Sequence, residues 1–293
     1  MPILAEEKKD KEKTIIWLGH PFPPIIIADG PNKGKGTSEL MRNLLISNMK
    51  EYTHVLEYPS MARMEQIFKS PDSHACAIAV LKTPEREQYL YFAKIPSTAV
   101  TGHVIYFNET GLAKLKKDPA FAGVDFSKSP SLSLSKVLHV KGLKGVAKRK
   151  RSYSAVLDKI LSETGSNVDM VESPSSESEY NMVTRGFADF FLEYQSSRYY
   201  AEATQKQDSA SQRTNQKTYA FLLDEVTAIK IYSYAVCAKN EWGKRTMADI
   251  EAKLMITVPQ DAWFEALNYW SPKDNLKSSR KFFDQFIHEF YGK

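Results

Sequence analysis

Only two cysteines, Cys76 and Cys237, occur in 293 residues. Two thiols cannot build a disulfide framework or a cysteine-rich zinc site, and they leave two readings, one bridge or two buried thiols. Thirteen glycines and fourteen prolines are too few for a collagen-like or Gly/Pro low-complexity chain. No apolar run approaches the ~20 residues that span a bilayer. The first residues, MPILAEEKKDKEK, lack an apolar signal core followed by a cleavage site. That start fits either a cytoplasmic chain or numbering from near a mature N-terminus. Neither sign of charge dominates: 40 Lys and Arg stand against 35 Asp and Glu, a net +5. A dedicated nucleic-acid domain would be more basic and would concentrate its charge on one face. The six histidines, at 20, 54, 74, 103, 139 and 288, show no metal-ligand spacing such as H-E-x-x-H, and no G-x-S-x-G elbow is present. A metal site, a bound cofactor and a hydrolase are therefore not expected.

What is present is globular composition, 42% apolar and 12% aromatic, long enough for one large domain or two ordinary ones. Residues 1–13 read as a flexible charged arm. Residues 14–18 (TIIWL), 53–58 (THVLEY) and 74–81 (HACAIAVL) are β-branched or apolar runs that predict buried strands. Between them, residues 37–49 and 60–68 predict helices, the first with Thr37 or Ser38 at its start and Glu39 in its first turn. This order is the βαβ pattern of a parallel sheet. A similar rhythm recurs later. Residues 137–140, 143–147, 167–171 and 186–194 are strand-like, and 152–162 is helical. Residues 205–217 are strongly polar. Residues 229–237 predict a strand, and 263–270 and 276–291 closing helices. The fold class read from this is α/β in two lobes.

Two motifs carry chemistry on pattern alone. Residues 81–92 (LKTPEREQYLYF) end a strand, turn at Thr83-Pro84 and open a helix carrying Glu85, Arg86 and Glu87. In open α/β sheets, ligands sit outside the carboxyl ends of the strands. A guanidinium there can grip a carboxylate bidentately; the bland alternative is a surface arginine paired with a neighbouring glutamate. Residues 148–151 (KRKR) form a basic cluster, read as a solvated loop that can steer an anion. Residues 30–37 (GPNKGKGT) look like a phosphate loop, but Lys35 stands where the second glycine is required.

Several short segments recur in order. Ile16-Trp17-Leu18 precedes Pro21-Phe22-Pro23-Pro24, and Gly34-Lys35-Gly36 precedes Glu39-Leu40. Thr83-Pro84-Glu85-Arg86 is followed by Phe92-Ala93-Lys94-Ile95-Pro96. Gly142-Leu143-Lys144-Gly145-Val146-Ala147 precedes Arg151-Ser152-Tyr153-Ser154, and Gly186-Phe187-Ala188-Asp189 leads to Glu193-Tyr194. On these, over residues 14 to about 255, the chain resembles a divergent branch of the bacterial extracellular solute-binding proteins of the amino-acid-binding family, the periplasmic components of ABC importers. The resemblance implies a type II periplasmic-binding-protein-like fold: two lobes, each a mixed, mostly parallel sheet flanked by helices, with two hinge crossovers. Lobe one would be 1–99 plus 229–293, and lobe two 100–228. A small ligand would bind in the interdomain cleft, and the hinge would close over it.

The same resemblance implies that Arg86 holds a ligand carboxylate and that Lys82 or Thr83 adds a contact. Trp17 either stacks on the ligand or packs in the core. Ser152, Tyr153 and Ser154 would supply donors from lobe two. The family's acidic residue for an ammonium falls at Tyr194, with Glu193 one position before. If Glu193 points away from the cleft, the ligand need not be an amino acid. Asp224-Glu225 resembles the acidic segment but comes too late, and Asp189 reads as a structural turn or hinge residue. Lys82 points to extra acidic groups on the ligand or else snorkels to solvent. In the family topology the strands carrying Cys76 and Cys237 are neighbours, so a bridge can form. Also implied are an exported, periplasmic location with the signal removed, an ABC permease partner, a monomer, no nucleic acid and no catalysis. The rivals are an orphan sensor without a transporter and a dehydratase-type enzyme using Glu193 and Lys82.

Overall fold

In a computed structural model, the described residues are 12–128, 130–149, 151–163, 167–171, 178–205, 216–226, 230–273 and 276–292. The chain divides into two compact units, Met1–Val100 with Ile231–Lys293, and Thr101–Lys230. The arm expected over 1–13 lies outside the described residues except for Glu12 and Lys13. Those two are docked: the Glu12 carbonyl accepts from the Trp242 indole and Lys13 lies over the Tyr52 ring.

Unit one opens with β1 (Thr14–Leu18), α1 (Thr37–Ser47), β2 (Thr53–Glu57), α2 (Met61–Lys69), β3 (Ala75–Leu81), a 3-10 turn (Arg86–Gln88), β4 (Leu90–Phe92) and β5 (Thr98–Thr101). Unit two follows with β6 (Val104–Asn108), α3 (Glu109–Lys117), α4 (Leu134–Val137), β7 (Gly145–Lys148), α5 (Ala155–Leu161), β8 (Val168–Val171), α6 (Ser178–Thr184), β9 (Phe190–Glu193), α7 (Gln195–Gln205) and β10 (Thr218–Leu222). The chain returns to unit one through β11 (Lys230–Ala238), α8 (Glu241–Thr257), α9 (Asp261–Leu267) and α10 (Leu276–Tyr291).

The sheet of unit one runs β2-β1-β3-β11-β4, with β5 also paired to β11; that of unit two runs β10-β6-β9-β7-β8. In unit one β1 is parallel to β2 and β3, while β11 is antiparallel to β3 and β4. In unit two β7 is parallel to β8 and β9, while β6 is antiparallel to β9 and β10. Both sheets are therefore mixed, and their parallel strands end together at one edge. Helix starts are fixed by side-chain caps, Ser60 for α2, Asn108 for α3 and Asn240 for α8. Gly243 sits where a Cβ would meet the Ala238 carbonyl at 1.9 Å, so only glycine lets α8 start so close to β11.

Two expectations need correction. Residues 137–140 are not a strand: Val137 ends α4, and Val140 is buried in the turn that follows. A short apolar run has no period long enough to separate helix from strand. The helix expected to carry Glu85, Arg86 and Glu87 is a single 3-10 turn, because the chain must reach β4 by Leu90.

Of the two readings for the cysteines, the bridge is the one found. Cys76 on β3 and Cys237 on β11 are a directly paired register position, both fully buried, with Cα atoms 4.0 Å apart and 161 residues between them in sequence. All of unit two lies inside the loop this bond closes. No helix among the described residues is long and apolar enough to cross a membrane.

Candidate ligand-binding site

At the carboxyl edge of the unit-one sheet, β3 gives way to Lys82-Thr83-Pro84. Thr83 Oγ1 accepts from the Arg86 backbone N–H (3.3 Å), which fixes the turn. The Arg86 side chain folds back so that Nη1 donates to the Leu81 carbonyl (2.9 Å), the last residue of the strand. Its other donors meet no acceptor among the described residues, and the side chain is half-buried. A fixed guanidinium with unused donors beside a strand end can hold a carboxylate. Lys82 pairs with Glu87 (2.9 Å), and both are well exposed.

The neighbouring strand end is occupied by the chain itself. Glu39, fully buried in the first turn of α1, accepts from the backbone N–H groups of Ile27 (2.8 Å) and Gly36 (3.0 Å) and from the Tyr58 hydroxyl (2.6 Å). This carboxylate pins the 19–36 loop after β1 to the end of β2. Burial, then the bond to Glu39, raises the Tyr58 hydroxyl pKa. Trp17 is wholly buried in the core, and its indole donates to His54 Nδ1 (2.9 Å). Arg63 is exposed on α2.

The corresponding edge of unit two is more heavily charged and more buried. Glu193, the last residue of β9, receives Arg151 bidentately at 2.6 and 2.7 Å and also accepts from the Tyr194 backbone N–H (2.8 Å). The same guanidinium donates to His103 Nε2 (3.2 Å) and lies over the Tyr153 ring at 4.7 Å and the Tyr194 ring at 5.8 Å. Lys148, ending β7, pairs with buried Glu179 (3.7 Å). Burial alone would raise the Glu193 pKa; the Arg151 charge overrides it and holds the carboxyl below its ordinary value. For Arg151, burial works against the charge and Glu193 restores it, so the guanidinium stays protonated. His103 is pushed down to about 3, by burial first and then by the Arg151 charge, so its ring is neutral. Burial lifts the Tyr194 hydroxyl to about 12.

Asp158 organises the next turn, accepting from the Ser152 hydroxyl (2.6 Å) and the Tyr153 N–H (2.7 Å). Ser154 caps α5 through Leu157 N–H (3.3 Å) at a φ of +140°, a conformation costly for a side chain. The Tyr153 hydroxyl accepts from Lys148 N–H (2.7 Å). Asp189 ties Lys114 (2.8 Å) and the Lys144 N–H (2.8 Å) together, a structural turn. Glu225 caps α4 through Leu134 N–H (3.0 Å), and Asp224 bonds the Ser131 hydroxyl.

No family model matches the sequence, and no curated protein does. Solved structures do match. The extracellular-binding protein ytmK of a probable amino-acid ABC transporter from Bacillus subtilis is 17% identical, with a TM-score of 0.61 over 89% of this chain and 98% of that one. An arginine-specific periplasmic binding protein from Salmonella typhimurium is 12% identical, TM-score 0.57, over 89% and 100%. A histidine kinase sensor domain similar to periplasmic binding proteins is 15% identical, TM-score 0.61, over 89% and 97%. The fold is that of a type II periplasmic binding protein.

On this periplasmic-binding fold, the residues singled out from sequence fall into three groups. Lys82, Thr83 and Arg86 gather at the unit-one edge, and Ser152, Tyr153, Ser154, Glu193 and Tyr194 at the unit-two edge. Trp17 stands apart in the unit-one core. Sequence reasoning did not pair Arg151 with Glu193, 42 positions apart, nor bring His103 to them. The KRKR cluster read as solvated sends two of its four members inward, Lys148 and Arg151. The signal within reach was Glu193 itself: a carboxylate ending an apolar strand needs a buried cation.

Proposed function

We propose that this chain is a non-catalytic solute-binding receptor. It captures a small carboxylate-bearing ligand, an amino acid or related organic acid, between its two units by hinge closure. The observation that carries the reading is Arg86, anchored by Thr83 and Leu81 with donors left over at a carboxyl strand edge of a periplasmic-binding fold. Thr83 and Lys82 add contacts from unit one, and Ser152, Tyr153, Ser154 and Tyr194 from unit two. Closure would expel water from around the carboxylate and strengthen its bonds to Arg86. β5 and β11, on which the chain passes between the units, pair with each other and serve as the hinge.

An exported, periplasmic location fits the buried disulfide, which persists in an oxidising compartment. The delivery partner would be an ABC permease, and the receptor would act as a monomer. A sensor role without a transporter is the second reading, favoured by the shared fold of the kinase sensor domain. A dehydratase-type enzyme would need an acid–base pair, and Glu193 and Lys82 are each held in ion pairs within their own units. The test is a thermal-unfolding panel of amino acids and organic acids. At least one carboxylate should raise the midpoint by several degrees and be recovered unchanged. Turnover of the stabilising compound would favour the enzyme; no stabilisation by any carboxylate would reject the receptor.

A further inference from the structure

Resting on that receptor reading, we infer that Ala79 is a positioning residue for the unit-one site: the bulge it makes in β3 aims the Leu81 carbonyl at Arg86 and so sets the direction of the guanidinium. Two non-glycine residues among those described hold a left-handed backbone, Ala79 at a φ of +60° and Ser154. Ser154 caps a helix, whereas Ala79 lies inside a strand, two residues before its end, where extended backbone is the rule. An L-alanine there is strained, glycine would relieve it, and such strain persists only where the surrounding structure imposes it.

The pairing of β3 with β11 shows what the strain accomplishes. Cys76 pairs with Cys237, Ala77 with Val236, Val80 with Tyr234 and Leu81 with Ser233, so Ile78 and Ala79 together oppose Ala235. Packing breaks at the same place. Ala75 and Ala77 lie in one apolar cluster and Cys76 and Ile78 in the other, but Ala79 packs on the Ile78 side and Val80 returns to the Ala77 side. An extended Ala79 would invert that alternation and put Val80 and Leu81 each on the wrong face. The left-handed residue absorbs the extra step and bends the strand. The misfit cannot be passed towards the start of β3, because the disulfide fixes Cys76 against Cys237. Beyond Cys76 the pairing to β1 has ended, and β11 guides β3 to its end. Two residues past the bulge, the Leu81 carbonyl accepts from Arg86 Nη1 at 2.9 Å, and Thr83 Oγ1 then accepts from the Arg86 N–H.

The test is nitrogen NMR of the arginine side chains in isotope-labelled, ligand-free protein, with Arg86→Lys assigning the signal. A guanidinium held through Nη1 turns slowly and gives separate Nη signals; a released one gives an averaged signal. Ala79→Gly should keep the separate signals and raise the unfolding midpoint by about 2–4 °C. Ala79→Asn and Ala79→Val add similar bulk, but asparagine tolerates the left-handed region and a β-branched residue does not. The asparagine variant should keep the separate signals, and the valine variant should lose them while circular dichroism shows it folded. Separate signals in the valine variant, an averaged signal in the unaltered protein or the asparagine variant, or no rise in midpoint with glycine overturns the inference. Should the valine variant fail to fold, the glycine and asparagine variants decide by the same criteria. No ligand enters this measurement. A carboxylate panel without a hit would therefore reject the receptor and leave the link from Ala79 to Arg86 standing, while an unmoved Arg86 signal rejects that link alone.

Discussion

Arg86 and Arg151 each follow the carboxyl end of a buried strand, one in each unit, within five residues of its last position. Arg86 is half-buried and spends one donor on a backbone carbonyl. Arg151 is almost wholly buried and spends its fork on Glu193. Their strands do not correspond, since in sheet order β3 matches β9 while β7 matches β1, and their surroundings are opposite: one guanidinium keeps donors unused, the other is locked onto a carboxylate of its own chain. On the receptor reading proposed above, a strand-end arginine serves a ligand only when no carboxylate of its own chain takes its donors. The units differ a second way, since unit one is cross-linked through β3 and β11 while unit two is held by its ion pairs and core alone.

Replacing Cys76 and Cys237 by alanine should have the largest effect on stability. Closing a loop of 161 residues constrains the unfolded chain by about 5 kcal/mol for global unfolding. If unit two stays folded while unit one opens, the free part of the loop is shorter and the loss smaller. Calorimetry with and without reductant should lower the unit-one transition and leave that of unit two in place. A uniform fall of both would mean the units do not unfold separately.

Next is Arg151→Ala, which strands the Glu193 carboxylate in the interior and should cost about 3–5 kcal/mol. Arg86→Ala loses one hydrogen bond at a half-buried site and should cost about 1 kcal/mol or less. Urea unfolding of the two variants side by side checks the contrast, and comparable losses would break it.

Acid gives an effect between those of the two arginine variants. His103 takes a proton near pH 6.5 when unfolded but only near 3 when folded. The unfolded state therefore binds the extra proton, and stability falls as the pH drops from 6.5 towards 3, by about 2 kcal/mol at pH 5. His103→Gln, whose amide oxygen can still accept from Arg151, should flatten the stability profile between pH 7 and pH 5.

Much of unit one was legible because its strands are unbroken β-branched or apolar runs and its helices have clear starts. Residues 14–18 and 276–291 predicted β1 and α10 to the residue. Strands β6 and β10 were not anticipated. Each is a five-residue segment whose place depends on antiparallel pairing across more than a hundred residues, and sequence periodicity carries no trace of that. Helix α8 was also missed, although its buried positions, among them Trp242, Met247, Ile250 and Leu254, recur at helical spacing. At the candidate site, Arg86 could be found from a strand, a turn and a guanidinium in order. The capture of Glu193 by Arg151 could not, because it joins a loop after β7 to the end of β9 through tertiary packing.

The most direct measurement is the affinity of a small carboxylate for the unaltered protein and for Arg86→Ala, by calorimetric titration at matched ionic strength. The account predicts binding that weakens at least about 30-fold in the variant while its unfolding midpoint without ligand stays close to the original. Equal affinity in both proteins would contradict it.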